Sequence, residues 1–169
     1  KGLKVRSAGA TFSQMWAGAG ASIVAIPSNE VYNALQQGVA QATDTSTGSM
    51  VSFRLYEQLK CVTAPGDNAL WFMYEPVLIS KRSWDKLNDK QKAALTAASQ
   101  KAEAFFNTES QKLDEKMVEE FKKNKSQVVT MTEAQADAWR AVAQKTSYKE
   151  FADKVPGGKE LLEKALSVK

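Results

Sequence analysis

Between Leu3 and Ser46 short β-branched runs alternate with short helix-forming runs, so closely spaced that little besides an α/β unit accommodates them. Leu3-Lys4-Val5-Arg6 reads as a strand that ends in the small-residue run Ser7-Ala8-Gly9-Ala10. A helix after Thr11 is expected to end at Gly18-Ala19-Gly20. Ser22-Ile23-Val24-Ala25-Ile26, β-branched and buried in character, is the second strand, and Pro27 closes it. A helix over Asn29–Gln37 follows, with Ser28 as N-cap, Val31, Ala34 and Leu35 as its apolar face and Gly38 as the stop. Val39–Asp44 returns to strand. Strand, helix, strand, helix, strand predicts an α/β fold with a parallel sheet, because parallel neighbours need crossovers of this length.

In such a sheet, ligands lie outside the carboxyl ends of the strands. Arg6 and the run Asp44-Thr45-Ser46 both fall there. A guanidinium facing a crevice suits a carboxylate, since its planar fork donates two parallel hydrogen bonds. The alternative is an arginine held in an ordinary surface ion pair.

Composition narrows the chemistry. With no histidine, His-based acid–base catalysis and His metal sites are excluded, and the single cysteine, Cys61, excludes an internal disulfide or a multi-cysteine cluster. In the apolar setting Leu59-Lys60-Cys61-Val62-Thr63-Ala64, Cys61 is expected to be a buried structural thiol. The net charge of +4 does not point to nucleic acid, because the lysines are interleaved with glutamates, as in Glu119-Glu120-Phe121-Lys122-Lys123. No window approaches the roughly 18 apolar residues of a membrane-spanning helix. Dinucleotide-binding, phosphate-loop and nucleophile-elbow glycine motifs are all missing from the sequence. Glu30 is the one acid near Asp44. It falls in a first helical turn, where a carboxylate favours the helix dipole.

Farther on, Gly48–Leu59 reads as a helix with Arg54 and Glu57 paired outside, and Lys60–Ala64 as a strand stopped by Pro65-Gly66-Asp67-Asn68. Ala69–Ser80, the most apolar stretch, is expected to be a strand buried on both faces, with Pro76 marking an edge or break. Asn88 and Gln91 form a capping box for a helix reaching about Lys123. Its stripe of Leu95, Ala98, Ala102, Phe105 or Phe106, Leu113, Met117 and Phe121 is core. A strand at Gln127–Met131 precedes helices capped by Thr132 with Gln135 and by Ser147 with Glu150. A last helix spans Lys159–Ser167. The expected organisation is 1–64 as an α/β lobe, 65–87 as a connecting strand segment, 88–125 as a long helix and 126–169 as a C-terminal strand with helices.

The runs GLKVR, GASIVAIPSNEVYNALQQG and VAQATDTS resemble the solute-binding receptors of tripartite ATP-independent periplasmic (TRAP) transporters, and the likeness continues through Pro76–Ser80, Trp84-Asp85-Lys86-Leu87 and the long helix. The resemblance implies a lobe of a type II-like periplasmic binding protein with a parallel or mixed sheet, and a hinge-type helix that spans both lobes. It also implies a C-terminal tail that wraps back on the body. It assigns Arg6 as principal carboxylate ligand, with Ser28, Asp44 and Thr45 at or beside ligand-contacting positions. Trp71 or Met73 would come from the strand between lobes. The implied function is capture of a small organic acid in the periplasm for the membrane subunits of a TRAP transporter, without cofactor, metal or catalysis. Two departures stand out: Gln41-Ala42 replaces the usual Asp-Gly, and Thr45 stands where many acid-binding members carry Asn. The chain opens on Lys1 at what would be mid-receptor, with no Met, basic segment or apolar leader ahead of the first strand. It is therefore expected to be the C-terminal part, lacking the N-terminal lobe, and to self-associate or exchange strands through the surface so exposed. A small α/β enzyme acting on a carboxylate, or a lobe that binds nothing by itself, are the other readings.

Overall fold

A computed structural model describes residues 2–71, 74 and 76–168. Three parallel strands build the first sheet: β1 (Lys4–Arg6), β2 (Ser22–Val24) and β3 (Ala42–Thr43), in the order β2-β1-β3. Val5 of the central strand pairs with Ile23 on one side and Ala42 on the other, and is 1% exposed. The crossovers are α1 (Ala10–Gly18) and α2 (Val31–Gln36), the latter entered through a short 3-10 turn at Ser28–Glu30. Gly38 follows α2 at φ +71°, the left-handed conformation expected of its stop. This is the anticipated α/β unit, with shorter strands than expected; Ile26 and Val39–Gln41 lie outside the ladder.

A second parallel pair, β4 (Cys61–Thr63) and β5 (Gln127–Val129), is joined by a long crossover containing α4 (Lys81–Trp84) and α5 (Asp89–Lys123). The main core gathers Val31 of α2, Met50 of α3 (Thr47–Ser52), Leu55, Val62, and Met117 and Phe121 of α5. Helices α6 (Glu133–Lys145), α7 (Ser147–Lys154) and α8 (Gly158–Leu166) follow, and α6 and α7 pack on α1.

Helix α5 starts at the expected capping box, with reciprocal hydrogen bonds between Asn88 and Gln91. Its apolar stripe divides in two. Met117 and Phe121 are buried, whereas Leu95, Phe105 and Phe106 are exposed, Phe105 by 68%. The first half of the stripe is therefore not core within this chain.

Other expectations need correction. The segment Gly48–Leu59 is not one helix: α3 ends at Ser52, and Arg54 turns left-handed at φ 54° before a 3-10 turn at Leu55–Glu57. That break carries Leu55 into the core, which outweighs the cost of a left-handed non-glycine residue. The Arg54–Glu57 ion pair forms as anticipated. Cys61 is exposed, not buried: β4 has one covered face, occupied by Val62, and strand alternation turns Cys61 outward. Trp71, Tyr74 and residues 76–80 form no strand, and Leu78 is 83% exposed. No described strand pairs with this segment, and Pro76 lacks a donor for one. Ser28 and Ser147 do not act as helix caps. Ser28 serves Arg6 instead, and the Ser147 hydroxyl donates to the Thr11 carbonyl at 2.7 Å, fastening α7 to α1.

The division of α5 gives an internal comparison. Phe121→Ala is expected to cost about 3–5 kcal/mol, the usual range for emptying a filled aromatic core position. Phe105→Ala on the same helix is expected to cost less than about 0.5 kcal/mol. Urea unfolding of both variants checks the contrast.

Candidate functional site

Sheet order determines where a site can form. From central β1 the chain crosses to β2 on one side, then passes to β3 on the other, so Arg6 ends the strand at which the connections diverge. The strand pleat turns Arg6 inward, and it is 4% exposed. Its guanidinium spans all three strand ends. Nε–H donates to the Ile26 carbonyl after β2 at 3.0 Å, and one Nη donates to the Asp44 backbone carbonyl after β3 at 3.3 Å. The other Nη donates to the Ser28 hydroxyl at 2.8 Å.

All three acceptors are neutral. No carboxylate among the described residues comes within 4.0 Å of this guanidinium. The described ion pairs all join residues three or four apart on the surface, the type that contributes least to stability. Arg6 is thus not the ordinary surface ion-pair partner that was the alternative reading. Three of its five N–H donors are used by described residues.

Arg6 forms the wall of an open cleft of about 430 Å³, with the Ser7–Ala10 turn, Ser13 and residues 23–27. The remaining lining is mostly small and aliphatic. Its two hydroxyls are engaged, Ser13 with the Gly9 carbonyl at 2.9 Å and Ser7 with Asp44 at 2.8 Å. A charged fork set in a small, mostly apolar cleft can hold a compact anion and shield its carbon skeleton.

Asp44 lies close by, but its carboxylate turns back from β3 to the other side of the turn. It accepts from the Ser7 hydroxyl, from the Ala8 amide at 2.5 Å and from the Trp16 indole N–H at 2.6 Å. Three donors on one carboxylate lock the Ser7–Ala8 turn to the end of β3. Of the expected site residues, the structure brings Arg6, Ser28 and Asp44 together. Thr45 follows Asp44, half-buried, and is not among the cleft-lining residues. Trp71 packs on Phe12 of α1 with ring centroids 4.8 Å apart and is likewise outside the lining. Met73 lies outside the described residues. Sequence reasoning missed Ser7, Ala8 and Trp16. Of these only Trp16 carried a signal, an indole donor in a helix that needs a partner when covered.

Residues 1–154 match the family described as bacterial extracellular solute-binding protein, family 7 (DctP). The chain belongs to this family. A solute-binding protein of Albidiferax ferrireducens is 35% identical over 162 residues, which cover 96% of this chain and 48% of that protein. A solved TRAP periplasmic solute binding protein from Rhodoferax ferrireducens, with bound malonate, has a TM-score of 0.88 at 34% identity, over 96% of this chain and 52% of that one. A third, from Shewanella oneidensis with bound succinate, shares the fold at 23% identity and a TM-score of 0.79, over 99% of this chain and 53% of that one. The α/β architecture is that of the TRAP receptors over the matched length, and the chain spans about half the length of these relatives.

Removing the Asp44 carboxylate strands three donors at once. Asp44→Ala is expected to cost about 2–3 kcal/mol, since bonds to a charged acceptor are the stronger kind and the indole is half-buried. Urea unfolding monitored by tryptophan fluorescence checks it.

Proposed function

We propose that this chain is the arginine-bearing part of a periplasmic receptor, which captures a small organic acid and delivers it to the membrane subunits of a TRAP transporter. One observation carries the reading: Arg6 is buried at the strand ends with no carboxylate of the described residues within 4.0 Å of its guanidinium. A buried cation satisfied only by neutral acceptors is costly, and a carboxylate from solution would relieve that cost while accepting two parallel hydrogen bonds. The malonate held by the 34%-identical relative supports a compact acid as ligand.

In this reading Arg6 grips the carboxylate, while Ser28 and the Asp44 carbonyl hold the guanidinium flat. Thr45, beside Asp44, and Trp71 and Met73, on the connecting segment, are proposed to meet the ligand when the receptor closes. Closure would exclude water and strengthen the Arg6–carboxylate contact. No reaction is needed. Asp44 is already committed to three donors on the far side of the turn from the guanidinium. The exposed apolar residues of α5 and of segment 76–79 are the surface that the receptor's N-terminal lobe would cover.

Calorimetric titration with malonate tests the site. Binding is expected in the unmodified protein and should weaken at least about 100-fold in Arg6→Ala, the scale of losing a bidentate charged contact. Arg6→Lys keeps the charge but not the fork and should fall between. Unmodified protein that takes up neither malonate nor succinate at millimolar concentration overturns the reading. Turnover of either acid would favour the enzyme alternative. Left uncovered, the apolar surface should make the 169-residue chain self-associate at tens of micromolar, and a single monomer boundary in sedimentation velocity would argue against this.

A further inference from the structure

Trp16, seven residues into α1, reaches across to the end of β3, where its indole N–H donates to the Asp44 carboxylate at 2.6 Å. The backbone carbonyl of the same Asp44 accepts from Arg6. Its carboxylate also fixes Ser7 and Ala8, the two residues that follow Arg6 and line the cleft. One aspartate thus ties the turn that follows Arg6 to the strand end that supplies one of the three guanidinium acceptors, and Trp16 supplies one of its three donors.

Trp16 is held from behind by the C-terminal helices. Trp139 of α6 meets its ring edge-on, with centroids 5.0 Å apart and planes at 74°. A Cβ on Gly18 would lie 2.5 Å from Thr146 Cγ2 and 3.3 Å from Val142 Cγ1, so α1 approaches this region as only glycine allows. The Ser147–Thr11 hydrogen bond fixes the start of α7 to the first turns of α1. These contacts all converge on the helix that carries Trp16.

We propose that Trp16 is a positioning residue for the Arg6 site, and that α6 and α7, through Trp139 and Ser147, clamp it so that the far end of the chain sets the geometry of the carboxylate grip. This rests on the reading that Arg6 grips the ligand, but the link from Trp16 to Arg6 can be measured without any ligand.

The experiment follows the Arg6 side-chain Nε–H resonance, identified by its loss in Arg6→Lys, in the unmodified protein and in Trp16→Phe. Phenylalanine keeps an aromatic ring against Trp139 while removing the donor and part of the indole's volume. In Trp16→Phe the Arg6 signal should shift and its hydrogen exchange should quicken about tenfold, with malonate binding weakened about fivefold, the size of one hydrogen bond transmitted in part. A purely structural role would lower the unfolding midpoint and leave the Arg6 resonance in place, and that result overturns the proposal. Should Trp16→Phe fail to fold, Trp139→Leu decides by the same signal: a smaller shift in the same direction supports the clamp and no shift overturns it. If the unmodified protein binds no malonate, the carboxylate reading falls, while the Arg6 resonance still answers whether Trp16 positions the guanidinium.

Discussion

The interaction on which the rest depends is the capture of one buried guanidinium by three strand ends. Arg6 cannot be buried unless Ile26, Ser28 and Asp44 all offer oxygen at once, and they do so only when β2 and β3 flank β1 in parallel register. The ladder itself is short, two to three residues per strand. Its hydrogen bonds alone are a weak determinant of register. The arginine adds a second determinant, because a slip of one residue would turn it to the opposite face and strand its acceptors. The group best suited to hold a carboxylate is thus also a group that holds the sheet in register.

The long helix shows a different constraint. Its C-terminal half contributes Met117 and Phe121 to the core, while its N-terminal half carries Leu95, Phe105 and Phe106 into solvent. Within one helix the same three- and four-residue stripe is thus core at one end and uncovered at the other. The capping box that opens the helix is local and needs no partner, so the element persists where its packing does not. Periodicity specifies a face to be buried, and it is silent on whether the burying surface belongs to the same chain.

That distinction explains what the sequence made legible. The α/β unit, the Gly38 stop, the Asn88 and Thr132 capping boxes and the span of α5 were readable because each depends on residues a few positions apart. The break at Arg54 was not, since it arises from the pull of Leu55 into a core built by α2, β4 and α5. Cys61 was misread because apolar neighbours imply burial only where both faces of a strand are covered. In the site, the places of Arg6 and Asp44 were legible from strand-end logic, and Ser28 came with the family resemblance. The duties of those two, and the presence of Trp16, were hidden in contacts 22 to 38 residues apart along the chain.

The orientation of Asp44 decides whether Arg6 can serve the proposed carboxylate grip. An aspartate directly beside Arg6 would neutralise it, and a ligand carboxylate would then meet a spent cation and a like charge. The structure separates the two functions of the residue. The carbonyl faces Arg6, and the carboxylate turns to Ser7, Ala8 and the Trp16 indole, each a donor that satisfies an oxygen without a full positive charge. The negative charge is thereby spread over a turn and an indole instead of being spent on the guanidinium. In the proposed function this leaves Arg6 open to a carboxylate from solution, and the donors that occupy Asp44 also fasten the Ser7–Ala8 turn that lines the cleft. A neutral residue at this position could supply the same carbonyl, but it would leave the turn and α1 without their common anchor.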